Sequence, residues 1–259
     1  MDLGISGLNA LVLGGSQGLG FACAKALSEE GVRVAINGRD PERGAEAARA
    51  LGGSAVFIAG DVSDPASRER IVRDARAALG PVSILVTNAG GPPPGPLDTH
   101  EHETWLKALE TNMLSAIHLT RLILPDMLEA GFGRIVNVTS FTVREPYPNM
   151  GLATGVRAGL TGAMSALARE VADKGITVNN LLPGLMDTGA LRRVYAAQAR
   201  QQGITEDEAK TRMAASVPMR RLGLAEDFGP ACAFLCSRHA GYITAQNLTV
   251  DGGLVRSLL

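Results

Sequence analysis

The sequence predicts an α/β fold in one domain, a doubly wound parallel sheet of seven strands with helices on both faces. Three observations predict it. Short runs of Val, Ile and Leu alternate with longer Ala-rich segments along the chain, as strand–helix–strand units do. A glycine cluster separates the first such run from the first Ala-rich segment. No linker, repeat or low-complexity tract divides the 259 residues, a length that suits one large α/β domain or two small ones.

The elements follow in order. Strand 10–13 runs into the glycines, and helix 18–30 ends before Gly31, as a C-terminal cap requires. Strand 32–37 leads to Asp40-Pro41, an N-cap and a first-turn proline opening helix 41–51. Strand 55–59 leads in the same way through Asp64-Pro65 into helix 65–79, closed by Gly80. Strand 84–87, helix 103–130, strand 134–138, helix 150–174, strand 177–182, helix 225–237 and strand 248–250 complete the series. Two stretches break the rhythm. Residues 90–98 hold four prolines and three glycines, and residues 184–221 carry a charged helix-like piece at 205–215. Both follow strand carboxyl ends, where open α/β sheets bind ligands. Long excursions of this kind serve as lids, so 184–221 is expected to be a substrate lid.

Composition narrows the function. Hydrophobic residues are 46% and aromatics 4%, so Ala, Val, Leu and Ile must fill the core. A net charge of -1 gives no footprint for nucleic acid or an anionic membrane. No uncharged apolar stretch approaches the ~20 residues of a bilayer span, and no leader is visible, so a cytoplasmic location is expected. Three cysteines form no disulfide framework. Cys232 and Cys236, four apart, read as buried thiols, with a redox or metal role as the alternative. His100 and His102 flank Glu101 without further ligands at zinc spacing, so no metal site is expected.

The chemistry starts at Gly14-Gly15-Ser16-Gln17-Gly18-Leu19-Gly20. Glycines let backbone approach a pyrophosphate, and a helix N-terminus offers free N–H groups and positive potential. The spacing is Gly14-xxx-Gly18-x-Gly20 rather than GxGxxG. Further motifs stand downstream: Gly60-Asp61-Val62, Thr87-Asn88-Ala89-Gly90, Asn179 through Pro183-Gly184 to Asp187-Thr188, and Val250-Asp251-Gly252-Gly253.

Taken together and in this order, these motifs resemble the short-chain dehydrogenase/reductase family over nearly the whole chain. The resemblance implies a Rossmann fold and an NAD(P) cofactor. The cofactor would be held by Gly14, Ser16, Gln17, Gly18, Leu19 and Gly20, by Asp61 and Val62 at the adenine, and by Asn88, Ala89 and Gly90. Pro183, Gly184, Thr188 and Arg157 would hold its nicotinamide half. Val217-Pro218-Met219-Arg220-Arg221-Leu222-Gly223 and Ala225-Glu226-Asp227 are similar to the 3-oxoacyl-[acyl-carrier-protein] reductase group, a likeness shared with sugar and steroid reductases. The implied substrate is a small carbonyl compound or alcohol, an acyl thioester among the candidates. The implied assembly is a homotetramer or homodimer that buries the two long helices.

Cofactor preference is set after the second strand, where NAD enzymes place an acid for the ribose 2′-hydroxyl. Here Gly38 is followed by Arg39. Without a carboxylate, and with a guanidinium to pair a 2′-phosphate, NADP(H) is favoured over NAD(H). Gln17 points the other way, because NADP-preferring relatives often carry a basic residue there.

The resemblance breaks at the catalytic tetrad. Family members use Asn, Ser, Tyr and Lys. Asn112 and Ser140 match the first two, but Ala153 stands at the tyrosine position and Arg157 at the lysine position, with Ala158-Gly159-Leu160 fixing the register. Arg157 can donate hydrogen bonds to a ribose but cannot act as acid or base. Tyr147, in Pro146-Tyr147-Pro148, is the one nearby phenol, and reads as a proton donor, a substrate-lining side chain or plain loop packing. Three functions stay open: an oxidoreductase with a rearranged proton donor, a nucleotide-binding protein without turnover, and a non-redox lyase or isomerase on the same scaffold.

Overall fold

A computed structural model describes residues 1–258. Seven strands, β1 Asn9–Val12, β2 Arg33–Gly38, β3 Val56–Ala59, β4 Ile84–Thr87, β5 Gly133–Val138, β6 Ile176–Pro183 and β7 Asn247–Val250, pair in the order β3-β2-β1-β4-β5-β6-β7. Every neighbouring pair is parallel. The strand order reverses between β1 and β4, so the crevice beyond their carboxyl ends is where a ligand is expected.

The helices are α1 Gly18–Glu29, α2 Pro41–Leu51, α3 Pro65–Leu79, α4 His102–Leu109, α5 Ser115–Ala130, α6 Gly151–Val171, α7 Gly189–Gln202, α8 Glu206–Ala215 and α9 Ala225–Cys236. Successive strand side chains point to opposite faces. Val12, Val34, Ile84 and Val86 meet α1 and α9 through Leu27 and Phe228. Leu11, Leu85, Ile135 and Val178 meet α3, α5 and α6 through Ile71, Leu119, Ile123 and Met164. Both faces are covered, which is why the strands are apolar on both sides.

Asp40 and Asp64 cap α2 and α3, accepting from Glu42 and Arg43 and from Ala66 and Ser67, with Pro41 and Pro65 in the first turns. Cys23, Cys232 and Cys236 are free and buried where α1 meets α9. Hydrogen bonding among them, together with burial, pushes the Cys232 and Cys236 thiols well above the ordinary range. Among the described residues no helix is long and apolar enough to cross a membrane.

A buried row of polar side chains crosses four strands. Thr87 Oγ1 donates to Asn137 Oδ1 at 2.7 Å, Asn137 Nδ2 to Asn180 Oδ1 at 3.1 Å, and Asn180 Nδ2 to Asn247 Oδ1 at 2.8 Å. These four residues are register partners on β4, β5, β6 and β7. Each amide satisfies the next, as buried polar groups must.

Two expectations are corrected. The single helix expected over 103–130 is α4, a π-turn at Glu110–Leu114, and α5. One residue is in excess of the α-helical repeat there, so the two halves face differently. The 184–221 stretch holds α7 as well as α8. Helix α7 buries only Tyr195 and Ala199, against Ala209 of α8, too sparse a stripe to show as a periodic pattern.

Helices α1 and α9 cross so closely that a Cβ on Gly229 would lie 2.5 Å from the Ala22 carbonyl oxygen. Gly229→Ala is therefore expected to lower stability by about 1–3 kcal/mol, as overpacking does, measured as a fall in the urea midpoint with unchanged slope.

Candidate functional site

The site is built on the β1–α1 turn. Gly14 and Gly18 hold φ of 55° and 57°, a region that side chains resist. A Cβ on Gly20 would lie 2.2 Å from the Gly14 carbonyl oxygen, and one on Gly15 would lie 2.8 Å from the Ile36 Cβ. The turn is thus pressed against both its own helix and β2. No side chain caps α1 at Gln17, so the first-turn N–H groups have no side-chain acceptor and can serve an anion. Leu19 packs partly buried on the α1–α9 core.

Across the strand-order reversal, Asn88 Nδ2 donates to the Gly14 carbonyl at 3.3 Å, tying the turn after β4 to the turn after β1. Asn88, Ala89, Asn112 and Arg157 line a cavity of about 20 Å³, room for about one water. Asn112 lies on the π-turn and donates through Nδ2 to the Gly90 carbonyl at 2.9 Å. On the far side, Thr188 caps α7 by accepting from Leu191, and its Cγ2 lies 4.0 Å from where a Gly18 Cβ would be. Pro183 ends β6, and Gly184 donates to the Val250 carbonyl at 3.0 Å.

After β3, the Asp61 carboxylate accepts from Ser63 N and Oγ, each at 2.8 Å. Burial works to raise its pKa, but the Ser63 bonds, helped by Arg39 and Lys107, outweigh it and hold the carboxyl below its usual value. Arg39 is exposed, and its Nη1 lies 3.9 Å from Asp61 Oδ2. Val62 packs against the other core. Sequence reading missed Arg68, which is buried on α3. Its Nε donates to the Val62 carbonyl at 2.5 Å, and its Nη2 donates to the Glu110 carbonyl at 3.2 Å and pairs with the Glu110 carboxylate. One side chain thus joins the loop after β3 to the π-turn that carries Asn112. The partners are 42 residues apart, so no local signal announced them.

After β5, Ser140 Oγ accepts from Thr142 N at 3.2 Å and from Thr142 Oγ1 at 3.0 Å. With Thr142 donating, the Ser140 proton stays available. Ala153 is 3% exposed, so its side chain lies inside the protein rather than on the surface. The Pro-rich loop is pinned beside the start of α6, where Gly95 N donates to the Asn149 carbonyl at 2.8 Å. Tyr147 is 59% exposed and sits edge-on to Phe141, with ring centroids 6.1 Å apart. Arg157 lies one helical turn after Ala153. Its Nη2 is 3.4 Å from where a Cβ on Gly91 would be. Burial pushes its guanidinium down to about 10, so it stays a cation at neutral pH. It has no carboxylate partner among the described residues, unlike Arg68.

A family model described as Enoyl-(Acyl carrier protein) reductase matches residues 14–255. The chain is 36% identical to the 3-oxoacyl-[acyl-carrier-protein] reductase FabG of Haemophilus influenzae over 254 residues, 98% of this chain and 100% of that protein. Among solved structures it resembles L-sorbose reductase from Gluconobacter frateurii, complexed with NADPH and L-sorbose, at TM-score 0.95 and 30% identity, covering 100% of both chains. It also resembles a single-substitution variant of the actinorhodin polyketide ketoreductase with NADPH, at TM-score 0.92 and 32% identity, covering 96% and 98% of the two chains.

Arg68→Ala is expected to cost about 3 kcal/mol, the low end for removing one partner of a buried pair, because Glu110 stays partly solvated. Denaturant melts report the loss, and an unchanged midpoint would remove Arg68 from the scaffold of the π-turn.

Proposed function

The chain belongs to the short-chain dehydrogenase/reductase family, and on that premise we propose that it is an NADP(H)-dependent oxidoreductase of small carbonyl compounds or alcohols, 3-oxoacyl thioesters among them, with its proton supplied from somewhere other than position 153. The observation that carries the reading is the glycine turn. Its positive-φ glycines and side-chain-free helix start leave backbone N–H groups for a pyrophosphate. The bound cofactor supplies or accepts the hydride.

The chain's own groups then divide the work. Arg157, a cation without a counter-ion, donates to the nicotinamide ribose hydroxyls. Ser140, polarised by Thr142, donates to the substrate oxygen. Asn112 shapes the cavity through the Gly90 carbonyl. The segment 184–221 closes the substrate side as a lid, anchored by Lys210 Nζ on Asp187 Oδ2 at 2.7 Å. NADP(H) is favoured at Gly38, where a side chain would meet Ser16 Oγ at 3.0 Å. No carboxylate stands there to repel a 2′-phosphate, and Ser16 would have to give way to admit an acidic side chain.

Ala153 favours a second reading, a nucleotide-binding protein without turnover. General acid–base catalysis contributes about 10²–10⁴-fold, and neither Ala153 nor Arg157 supplies it. The test is NADPH oxidation with 3-oxoacyl thioesters and small diketones. Native protein is expected to run well below about 1 s⁻¹, Ala153→Tyr to gain slightly, and Ala153→Tyr with Arg157→Lys to gain clearly more. The lysine restores a cation that leaves space for the phenol and lowers its pKa from about 10. Native turnover above about 1 s⁻¹ would require another donor, with Tyr147 the next residue to replace. Tight NADPH binding with no reduction by any of the three proteins supports the silent reading, and substrate loss at constant NADPH supports a lyase or isomerase.

The assembly is expected to be a homodimer or homotetramer. Helix α6 carries exposed Ala158 and Gly162, and a Cβ on Gly162 would meet nothing within 4 Å, so a second helix could approach closely there. Light scattering at micromolar protein should give a multiple of the chain mass, and a stable monomer would overturn the assignment.

A further inference from the structure

Gln17 does not cap α1. Its Oε1 instead accepts from Arg43 Nη1 at 2.9 Å. Arg43 stands in the first turn of α2, 26 residues further along the chain, so α2 delivers a guanidinium to the rim of the glycine turn. The expectation from sequence was that a neutral Gln17 deprives this rim of positive charge. The structure places a cation there from another element.

The surroundings suit a phosphate. Ser16 Oγ lies 3.0 Å from where a Gly38 Cβ would be, so a small hydroxyl and bare backbone form the floor beside Arg43. Asp40 Oδ2 lies 3.8 Å from Arg43 Nη2, but Oδ1 of the same carboxylate is engaged by the N–H groups of Glu42 and Arg43. Arg43 is 52% exposed and has the Gln17 bond, whereas Arg39, at the end of β2, has no such anchor among the described residues. Its side chain is 80% exposed, and its nearest acid, Asp61, is 3.9 Å away. A guanidinium held by one hydrogen bond keeps its other donors for a ligand, and loses less freedom on binding than one that must be collected from solvent.

We propose that Arg43, held on the glycine turn by Gln17, is the specificity-determining cation for the 2′-phosphate of NADP(H), with Arg39 as a secondary contributor. This rests on the NADP(H) reading above. Gln17 acts through Arg43 and is a positioning residue.

The experiment is calorimetric titration of NADPH and of NADH into native protein, Arg43→Ala, Gln17→Ala and Arg39→Ala. Native protein should bind NADPH more tightly. Arg43→Ala should weaken NADPH by about 10–100-fold, as for loss of a charge-assisted pair, and leave NADH within about twofold, which also shows that the variant is folded. Gln17→Ala should weaken NADPH selectively by a smaller factor, and Arg39→Ala by less than Arg43→Ala. If native protein prefers NADPH while Arg43→Ala loses both cofactors equally, or neither, the assignment of Arg43 is overturned and the NADP(H) reading stands. If native protein binds the two cofactors equally, the NADP(H) reading falls and the inference with it.

Discussion

The site depends on one close approach, the backbone of Gly20 against the backbone of Gly14, with the Asn88 amide on the other side of the same carbonyl. A methyl group on Gly20 would sit 2.2 Å from that oxygen, and one on Gly14 would sit 2.7 Å from Asn88 Nδ2. No side chain fits, so α1 starts hard against the end of β1, with its first N–H groups directed into the crevice. The Asn88 bond then sets how far β4's turn stands from β1's, and so how wide the crevice opens. Asn112 reaches the same turn through the Gly90 carbonyl, and Arg68 anchors the π-turn bearing Asn112 to the Val62 loop. The loops after β3 and β4 and the π-turn are thereby referred to a single backbone contact.

Much of this was legible because the relevant physics is local. Proline after aspartate marked the starts of α2 and α3, apolar runs marked the strands, and the glycine spacing marked the turn. The departures are non-local or weakly patterned. The π-turn at Glu110–Leu114 changes the helix by one residue within a continuous polar–apolar alternation. Helix α7 buries Tyr195 and Ala199 in a small cluster of its own, away from the main cores. The partner of Gln17 is hidden for the same reason: Arg43 comes from a helix the motif does not include. The vacancy at position 153 was legible as a missing acid. That Ala153 is buried follows from neighbouring chain segments that the motif does not register.

Three arginines drawn into the fold show how differently one residue type can be used. Arg134 is surrounded by the carbonyls of Gly133, Gly175 and Ser237 and lies over the Phe132 ring, so its donors are consumed by the fold. Arg68 has a carboxylate and two carbonyls. Arg157 has neither, and burial weakens its hold on its proton. A partly buried cation without partners carries some desolvation cost, and the two satisfied examples show that this fold can neutralise such a group when it is structural. The expense at Arg157 falls at the cavity shared with Asn88 and Asn112, which is where a ligand's oxygens would recover it.

The polar row across β4 to β7 has a consequence for motion. Thr87, Asn137, Asn180 and Asn247 form a chain in which each group has its neighbour as partner. Parting any one pair of these strands leaves a polar group unpaired on each side of the break, and Asn137 and Asn180 sit in the dry interior of the sheet. Half of the sheet therefore tends to open as one block, and partial fraying from the β7 edge inward meets a penalty at each step. Amide protons of β5 and β6 should then exchange at nearly a common rate, set by whole-block opening rather than by their distance from the edge.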